Sequence, residues 1–401
     1  MDAYFLNQRH RSLRKTVRAF AEDEVRPLVT QLESSRRADL GLSRRIAAQG
    51  WLGVTIGRSY GGMGAGHVAK TVIIEELARV DGAMGATVQA SQLGVAKIIH
   101  FGTEEQKRWW LPRIAAGEVL PTIAVTEHGS GGHVAAMEAT AVRDGDSYVL
   151  TGRKVYVGNS HVGDLHGVVA RTGPGSGGLT AFLVETGTRG LTVNAQEEAL
   201  GLHGFSFGEL VFDGCRVPVA NRIGREGDGL KVAYSSSMLY GRANLTAVAL
   251  GIHQAVLEET VRFCAERSRY GRPLGEQPVV RDRIGRITSR LMTARLTAYH
   301  AVPLLDRGVE CDAELMNAKV VGVESAIESA RDAMEIQAGA GLFTTLPASR
   351  YLRDALHLLA PAGTSDIQRL RLAQYAMGQY GETWSRQFPA EPGQARTGTP
   401  A

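Results

Sequence analysis

The chain has 401 residues, 44% of them hydrophobic and 21% charged, a globular balance unlike that of a disordered chain and long enough for roughly two or three domains. Its formal charge is only +4. The basic residues form no Lys/Arg tract with interleaved aromatics, so nucleic acid is not an expected partner. No apolar run reaches the length of about 18 residues that spans a membrane, and Arg9, His10, Arg11 and Arg14 are followed by no apolar core of a secretory signal. Cys215, Cys264 and Cys311 lie too far apart for a CxxC pair, and a reducing cytoplasm is the expected location.

The first third has helical periodicity. Leu13, Val17, Phe20 and Val25 predict a helix over 7–29 that ends near Pro27, and 42–50, 68–80 and 89–101 predict three more. Thr103 followed by Gln106 predicts a capping box opening a further helix. A glycine-dense loop, Ser59 to Gly66, separates the second and third helices. The middle third changes period. Segments 138–143 and 147–151 flank Asp144-Gly145-Asp146, a hairpin signal. Short strands follow at 155–157, 165–171, 179–185, 191–193 and 209–212, predicting a β-barrel or sandwich. From Gly229 the helical period returns, with Leu245, Val248, Ile252 and Val256 on one face and Ile284, Ile287, Leu291, Ala294 and Ala298 on another. Long Ala-rich helices of this kind predict a bundle. The plan is α+β: a helical domain over 1–120, a β-domain over 121–228, a four-helix bundle over 229–385 and a Pro/Gly-rich tail over 386–401 expected to be disordered.

Six motifs stand in order along this plan. They are Tyr60-Gly61-Gly62-Met63-Gly64; Phe101-Gly102-Thr103-Glu104-Glu105-Gln106-Lys107 with Leu111-Pro112; Ala124-Val125-Thr126-Glu127; Gly152-Arg153-Lys154-Val155-Tyr156; Arg267 to Leu274; and Gly363-Thr364 with Ile367-Gln368-Arg369. Together they resemble the acyl-CoA dehydrogenase family over nearly the whole chain. The resemblance implies FAD bound across a subunit interface of a homodimer or homotetramer. It implies nucleotide contacts from Arg267, Tyr270, Gln277, Gln337, Gly339, Gly341, Thr364 and Asp366. Arginine suits a diphosphate because its fork donates paired charged hydrogen bonds. Around the flavin ring the implied residues are Val125, Thr126, Gly131, Gly132, Tyr156 and Gly158.

The same resemblance marks departures. The family's catalytic Glu, the base that takes the α-proton, falls on Ala362, and the alternative base position before Arg242 is Gly241. A hydroxyl residue expected beside flavin N5 is Gly158, and a Ser and an Asp of the ring loop are Gly132 and His133. His128, His133 and Tyr240 are the remaining candidates for a relocated base, histidine having a pKa suited to it; Glu226, Asp228, Glu258 and Glu259 read as surface charge. His128 and His133 lack a third ligand for a metal. Implied substrate contacts are Gln89, Gln92, Tyr240, Arg242, Ala362 and Gly363, and the small polar residues over 85–92 suggest a short or oxygenated acyl group, as in tailoring steps of specialised metabolism. Three functions follow. One is an FAD-dependent dehydrogenase of an acyl thioester, on coenzyme A or a carrier protein, passing electrons to an electron-transfer flavoprotein or oxygen. Another is a flavin monooxygenase or oxidase, with Gly158 leaving space for oxygen beside N5. The third is a non-catalytic FAD-binding scaffold.

Overall fold

A computed structural model describes residues 2–381 and 383–387; the expectation for the tail falls almost wholly outside them. Helices α1 (Asp2–Phe5), α2 (Gln8–Phe20), α3 (Val29–Ser35), α4 (Leu40–Ala47), α5 (Gly66–Val80), α6 (Gly82–Phe101) and α7 (Glu104–Ala115) come first. The predicted stop at Pro27 does not occur. The chain passes through a π-turn at Ala21–Val25 and a 3-10 turn at Arg26–Leu28 before α3, a short turn in which proline's missing N–H is tolerated. Between α5 and α6 only Asp81 is non-helical (φ −150°), and its carboxylate caps α6 through Ala83 N (3.0 Å) and Met84 N (3.3 Å). Gly85 makes that tight crossing possible, since a Cβ there would stand 2.6 Å from the Ala78 Cβ. The Thr103–Gln106 capping box forms with both of its hydrogen bonds.

The middle segment forms one eight-stranded sheet: β1 (Pro121–Ala124), β2 (Thr140–Asp144), β3 (Ser147–Gly158), β4 (Leu165–Arg171), β5 (Leu179–Glu185), β6 (Leu191–Val193), β7 (Phe207–Pro218) and β8 (Arg222–Ile223). The order is β6-β7-β3-β2-β4-β5-β8, with β1 parallel to β4. The predicted strands 147–151 and 155–157 are one long strand, interrupted by register shifts at Leu150/Gly152 and Lys154/Val157 against β7. Such bulges turn a strand without ending it.

Helices α8 (Gly229–Ser235), α9 (Arg242–Glu266), α10 (Pro278–Asp306), α11 (Asp312–Gln337), α12 (Ala348–His357), α13 (Ser365–Ala376) and α14 (Trp384–Gln387) complete the chain, with a small hairpin of β9 (Ser268–Arg269) and β10 (Arg272–Pro273) after α9. A π-turn, Ser236–Gly241, runs directly into α9. α9, α10 and α11 pack together, and α5 lies against α9, so the N-terminal helices and the bundle share a continuous core.

Candidate active site

The loop after α12 is held as a rigid ledge. Lys319 of α11, fully buried, donates to the carbonyls of Leu359 (2.9 Å) and Gly363. Gln368 Nε2 donates to Ala362 O (2.7 Å) and Gly363 O (3.2 Å). Burial, with Arg242 nearby, pushes the Lys319 ammonium down to about 7. Ala362 sits at φ +56°, a left-handed conformation that costs a residue with a Cβ about 1–2 kcal/mol. Its N–H meets no acceptor among the described residues. Facing it is the π-turn: a Cβ built on Gly241 would stand 3.1 Å from the Ala362 Cβ and 3.8 Å from Leu93 Cδ2. The two positions that the resemblance marks for a base therefore adjoin, and as alanine and glycine neither bears a carboxylate. Arg242 is buried, with Nε and Nη1 without a partner among the described residues. Burial lowers its pKa against the opposing pull of Tyr380 and Asp312.

Two sequence motifs meet at the sheet. Lys154, fully buried on β3, pairs with Glu127 (2.6 Å) and donates to Val125 O (3.0 Å). Glu127 in turn accepts from Glu138 N (2.6 Å) and Ala139 N (3.0 Å). Val155 N donates to Thr126 O at 2.9 Å, so Val125 and Thr126 are fixed on both sides. Tyr156 projects outward at φ +55° and stacks on Phe207 (5.7 Å), with His128 edge-on at 6.3 Å. His128 and His133 are exposed, and around Gly131 and Gly132 there is open space, with no atom within 4 Å of a built Cβ.

The Cβ direction of Gly158 is occupied. A Cβ at 158 would lie 2.9 Å from Phe205 Cζ and 3.1 Å from the Ala90 Cβ. Phe205, from the loop before β7, occupies the volume that a side chain at 158 would take.

Where the resemblance expects the nucleotide, Gln337 closes α11 with both amide atoms buried and without a partner among the described residues, and Gly339 beyond it is open. An orphaned buried amide beside an open glycine suits a hydrogen-bonding cofactor, so these residues fit a dinucleotide. Arg267 and Tyr270 are exposed on the β9–β10 hairpin, and Gln277 Nε2 braces it through Arg269 O (3.2 Å). Gly341 packs against Gln337. Thr364 caps α13 through Ile367 N (3.4 Å), and Asp366 is 96% exposed beside Arg369; both have local roles in this chain.

Other expected contacts separate. Gln92 is consumed by the core, accepting from Thr55 Oγ1 (3.0 Å) and donating to Leu52 O (2.8 Å), so its amide does not face a substrate. Gln89 is buried, and its carbonyl accepts from Asn244 (3.2 Å). Tyr240 precedes Gly241, but its ring lies among His67, His100 and Lys70. The four carboxylates read as surface charge are engaged: Glu226 by Tyr148, Asp228 by Arg225 N, Glu258 by Arg79 and Glu259 by Arg262. Lys319, Gln368 and Phe205 were not singled out from the sequence. Only the position of Gln368 in the Ile-Gln-Arg motif hinted at one of them.

Family models of the acyl-CoA dehydrogenase N-terminal, middle and C-terminal domains match residues 7–118, 122–215 and 227–377. The chain belongs to the acyl-CoA dehydrogenase family. It is 35% identical to an acyl-CoA dehydrogenase of Bacillus subtilis over 91% of this chain and 97% of that one. Among solved structures it resembles butyryl-CoA dehydrogenase from Megasphaera elsdenii (TM-score 0.90, 28% identity, 93% of this chain and 99% of that one). It also resembles PigA with FAD and proline (TM-score 0.88, 27% identity, 94% and 99%). The helical, sheet and helical organisation is thus that of the acyl-CoA dehydrogenase fold. Among the described residues no helix is long and apolar enough to cross a membrane.

Proposed function

We propose that this acyl-CoA dehydrogenase family member is an FAD-dependent oxidoreductase of an acyl thioester, on coenzyme A or a carrier protein, that keeps the carbonyl-polarising half of the site and lacks its carboxylate. The Ala362 ledge carries this reading. Lys319 and Gln368 fix its peptides, yet the Ala362 N–H has no acceptor among the described residues, the arrangement a developing oxyanion requires. Gln337, Gly339 and the exposed Arg267 would hold the dinucleotide, with Val125 and Thr126, fixed by Lys154 and Glu127, along the ring. Bound FAD supplies a hydride acceptor for the β-carbon. The chain itself orients the thioester, polarises its carbonyl through Ala362 N–H and so acidifies the α-hydrogen. No side chain at 362 or 241 takes that proton, which passes to solvent or to a group on the substrate. A positioned base is typically worth about 10²–10⁴ in rate, so turnover with a simple saturated acyl thioester is slow. Exposed Tyr270, Leu342 and Phe343, near the nucleotide residues in sequence, suit burial against a second copy, as in a homodimer or homotetramer.

With Phe205 against the Cβ position of Gly158, that position lends no support to the monooxygenase reading. The test is an anaerobic titration of the FAD-loaded protein with butyryl-CoA, following flavin absorbance, on wild type and Ala362→Glu. Slow bleaching that the variant accelerates supports the proposal. No bleaching by either protein, despite retained FAD, would sink it and leave the scaffold role.

A further inference from the structure

We propose that the C-terminal segment carrying Tyr380 and Trp384 is a clasp that holds the Gly241–Ala362 junction in place, with both residues positioning the site through the π-turn Ser236–Gly241 and Arg242. The consequence for acyl binding rests on the acyl-thioester reading above; the clasp itself does not. The segment lies outside the span, residues 227–377, that the family's C-terminal model matches.

The segment is tied to the start of α11. Asp312, 1% exposed, accepts from Trp384 N (3.1 Å), Ser385 N (3.0 Å) and the Ser385 hydroxyl, with the Tyr380 hydroxyl at 3.5 Å. The Ser385 hydroxyl accepts in turn from Cys311 N (3.0 Å). Beside this carboxylate, Glu310 pairs with Arg386 (2.5 Å) and accepts from Thr383 Oγ1 (3.2 Å). Donors converging on a buried carboxylate make a strong, directional attachment, because charge-assisted hydrogen bonds exceed neutral ones. Trp384 and Ser385 are themselves buried, so the segment is packed into the molecule.

From this anchor the segment reaches both ends of the π-turn. Before the turn, the Trp384 ring lies 5.6 Å from that of Tyr234 on α8, inclined at 37°, and α14 packs on the turn itself. After the turn, Arg242 opens α9 facing Tyr380 and Asp312, whose pull opposes the lowering of its pKa by burial. Gly241 stands between these contacts, and a Cβ built there meets the Ala362 Cβ at 3.1 Å. π-Turns are rare and concentrate at functional sites; this one is braced at both ends by the same short segment. Helix α11 joins the clasp to the ledge. Asp312, which anchors the clasp, and Lys319, which holds the Leu359 and Gly363 carbonyls, are one heptad apart on one face, about 10 Å along the axis. Arg242 acts on Lys319 and is acted on by Asp312. Gln337 closes the same helix about 37 Å from Asp312, which insulates the expected nucleotide residues from the clasp.

Hydrogen exchange by mass spectrometry on the FAD-loaded full chain tests the clasp, together with calorimetric titrations of the holoprotein with butyryl-CoA and the apoprotein with FAD. In Trp384→Ala, amides of 234–243 should exchange at least about tenfold faster, while those of β4 and β5 keep the wild-type rate. Trp384→Phe should restore the slow exchange. The alanine variant should bind FAD as wild type does and butyryl-CoA several-fold more weakly, a split that a generally destabilised fold would not give. Unchanged exchange over 234–243 overturns the proposal, and so does acceleration spread evenly over both regions. Wild-type butyryl-CoA affinity in a variant whose 234–243 amides have loosened overturns it too, since the turn would then not position the ligand. Should Trp384→Ala fail to fold, Tyr380→Phe, which removes only a hydroxyl, is read in the same way. Binding of butyryl-CoA to neither wild type nor variant would remove the acyl-thioester reading, and the exchange rates would then decide the clasp on their own.

Discussion

The close approach of Phe205 to Gly158 makes a quantitative prediction. The backbone at 158 is not left-handed, so a larger residue there meets only a packing obstacle. A Cβ would be 2.9 Å from Phe205 Cζ and 3.1 Å from Ala90, well inside contact distance, and overpacking of this kind costs about 1–3 kcal/mol. Phe205→Ala alone empties a buried site and costs about 3–5 kcal/mol. In the double variant Gly158→Thr/Phe205→Ala the clash is gone and the threonine refills part of the cavity. The two changes should then be less damaging together than separately, with a coupling of about 1–3 kcal/mol. Urea unfolding of all four proteins, by far-UV circular dichroism and tryptophan fluorescence with coincident curves, provides the cycle. Additivity within about 0.5 kcal/mol would show that the two side chains do not share the volume. The same four proteins, titrated with FAD, would report whether a hydroxyl restored at 158 tightens flavin binding only when Phe205 is absent.

Ala362→Gly should stabilise the fold by up to about 1 kcal/mol by relieving the left-handed strain; chemical denaturation checks it, and a loss would mean the Ala362 Cβ is packed more favourably than its φ is strained. Lys154→Met strands Glu127 and should cost about 3–5 kcal/mol, with weaker FAD retention on gel filtration because Val125 and Thr126 lose their brace. Asp354 is raised to about 7, chiefly by burial and also by Asp81, against the pull of Arg350. Its folded pKa exceeds the unfolded value, so the native state holds the extra proton and its contribution to stability declines as pH rises from about 4 to 7. Asp354→Asn, which keeps an acceptor for Leu202 N, should flatten that part of the pH–stability curve; an unchanged slope would reject the assignment.

The order of helices, strands and helices was legible because each segment's period matches a buried face, and the Thr103 cap was legible because its chemistry is local. Strand β3 was read as two because its bulges interrupt the alternation that marks a strand, although pairing with β7 continues through them. At the site, glycines and Ala362 were readable as absences. What occupies those absences was not, since Phe205 reaches Gly158 from a loop with no periodicity. Gln92 misled for a related reason: a polar residue in a helix does not reveal whether its amide is already spent on Thr55 and Leu52. Lys154 and Glu127 were each part of a motif, but they are 27 residues apart, and only the sheet brings them together.

The contact between Gly241 and Ala362 has a bearing on how such sites can change. A carboxylate grown from the helix or from the loop would arrive at the same point, because the two backbones are one side chain apart. Two together would force like charges into contact and leave one protonated. On the proposed function, the base thus belongs to a location with two possible owners and room for one. Passing ownership from loop to helix by single substitutions, without the crowded state, would lead through a chain in which neither holds it, and on the proposed function Ala362 and Gly241 are such a pair.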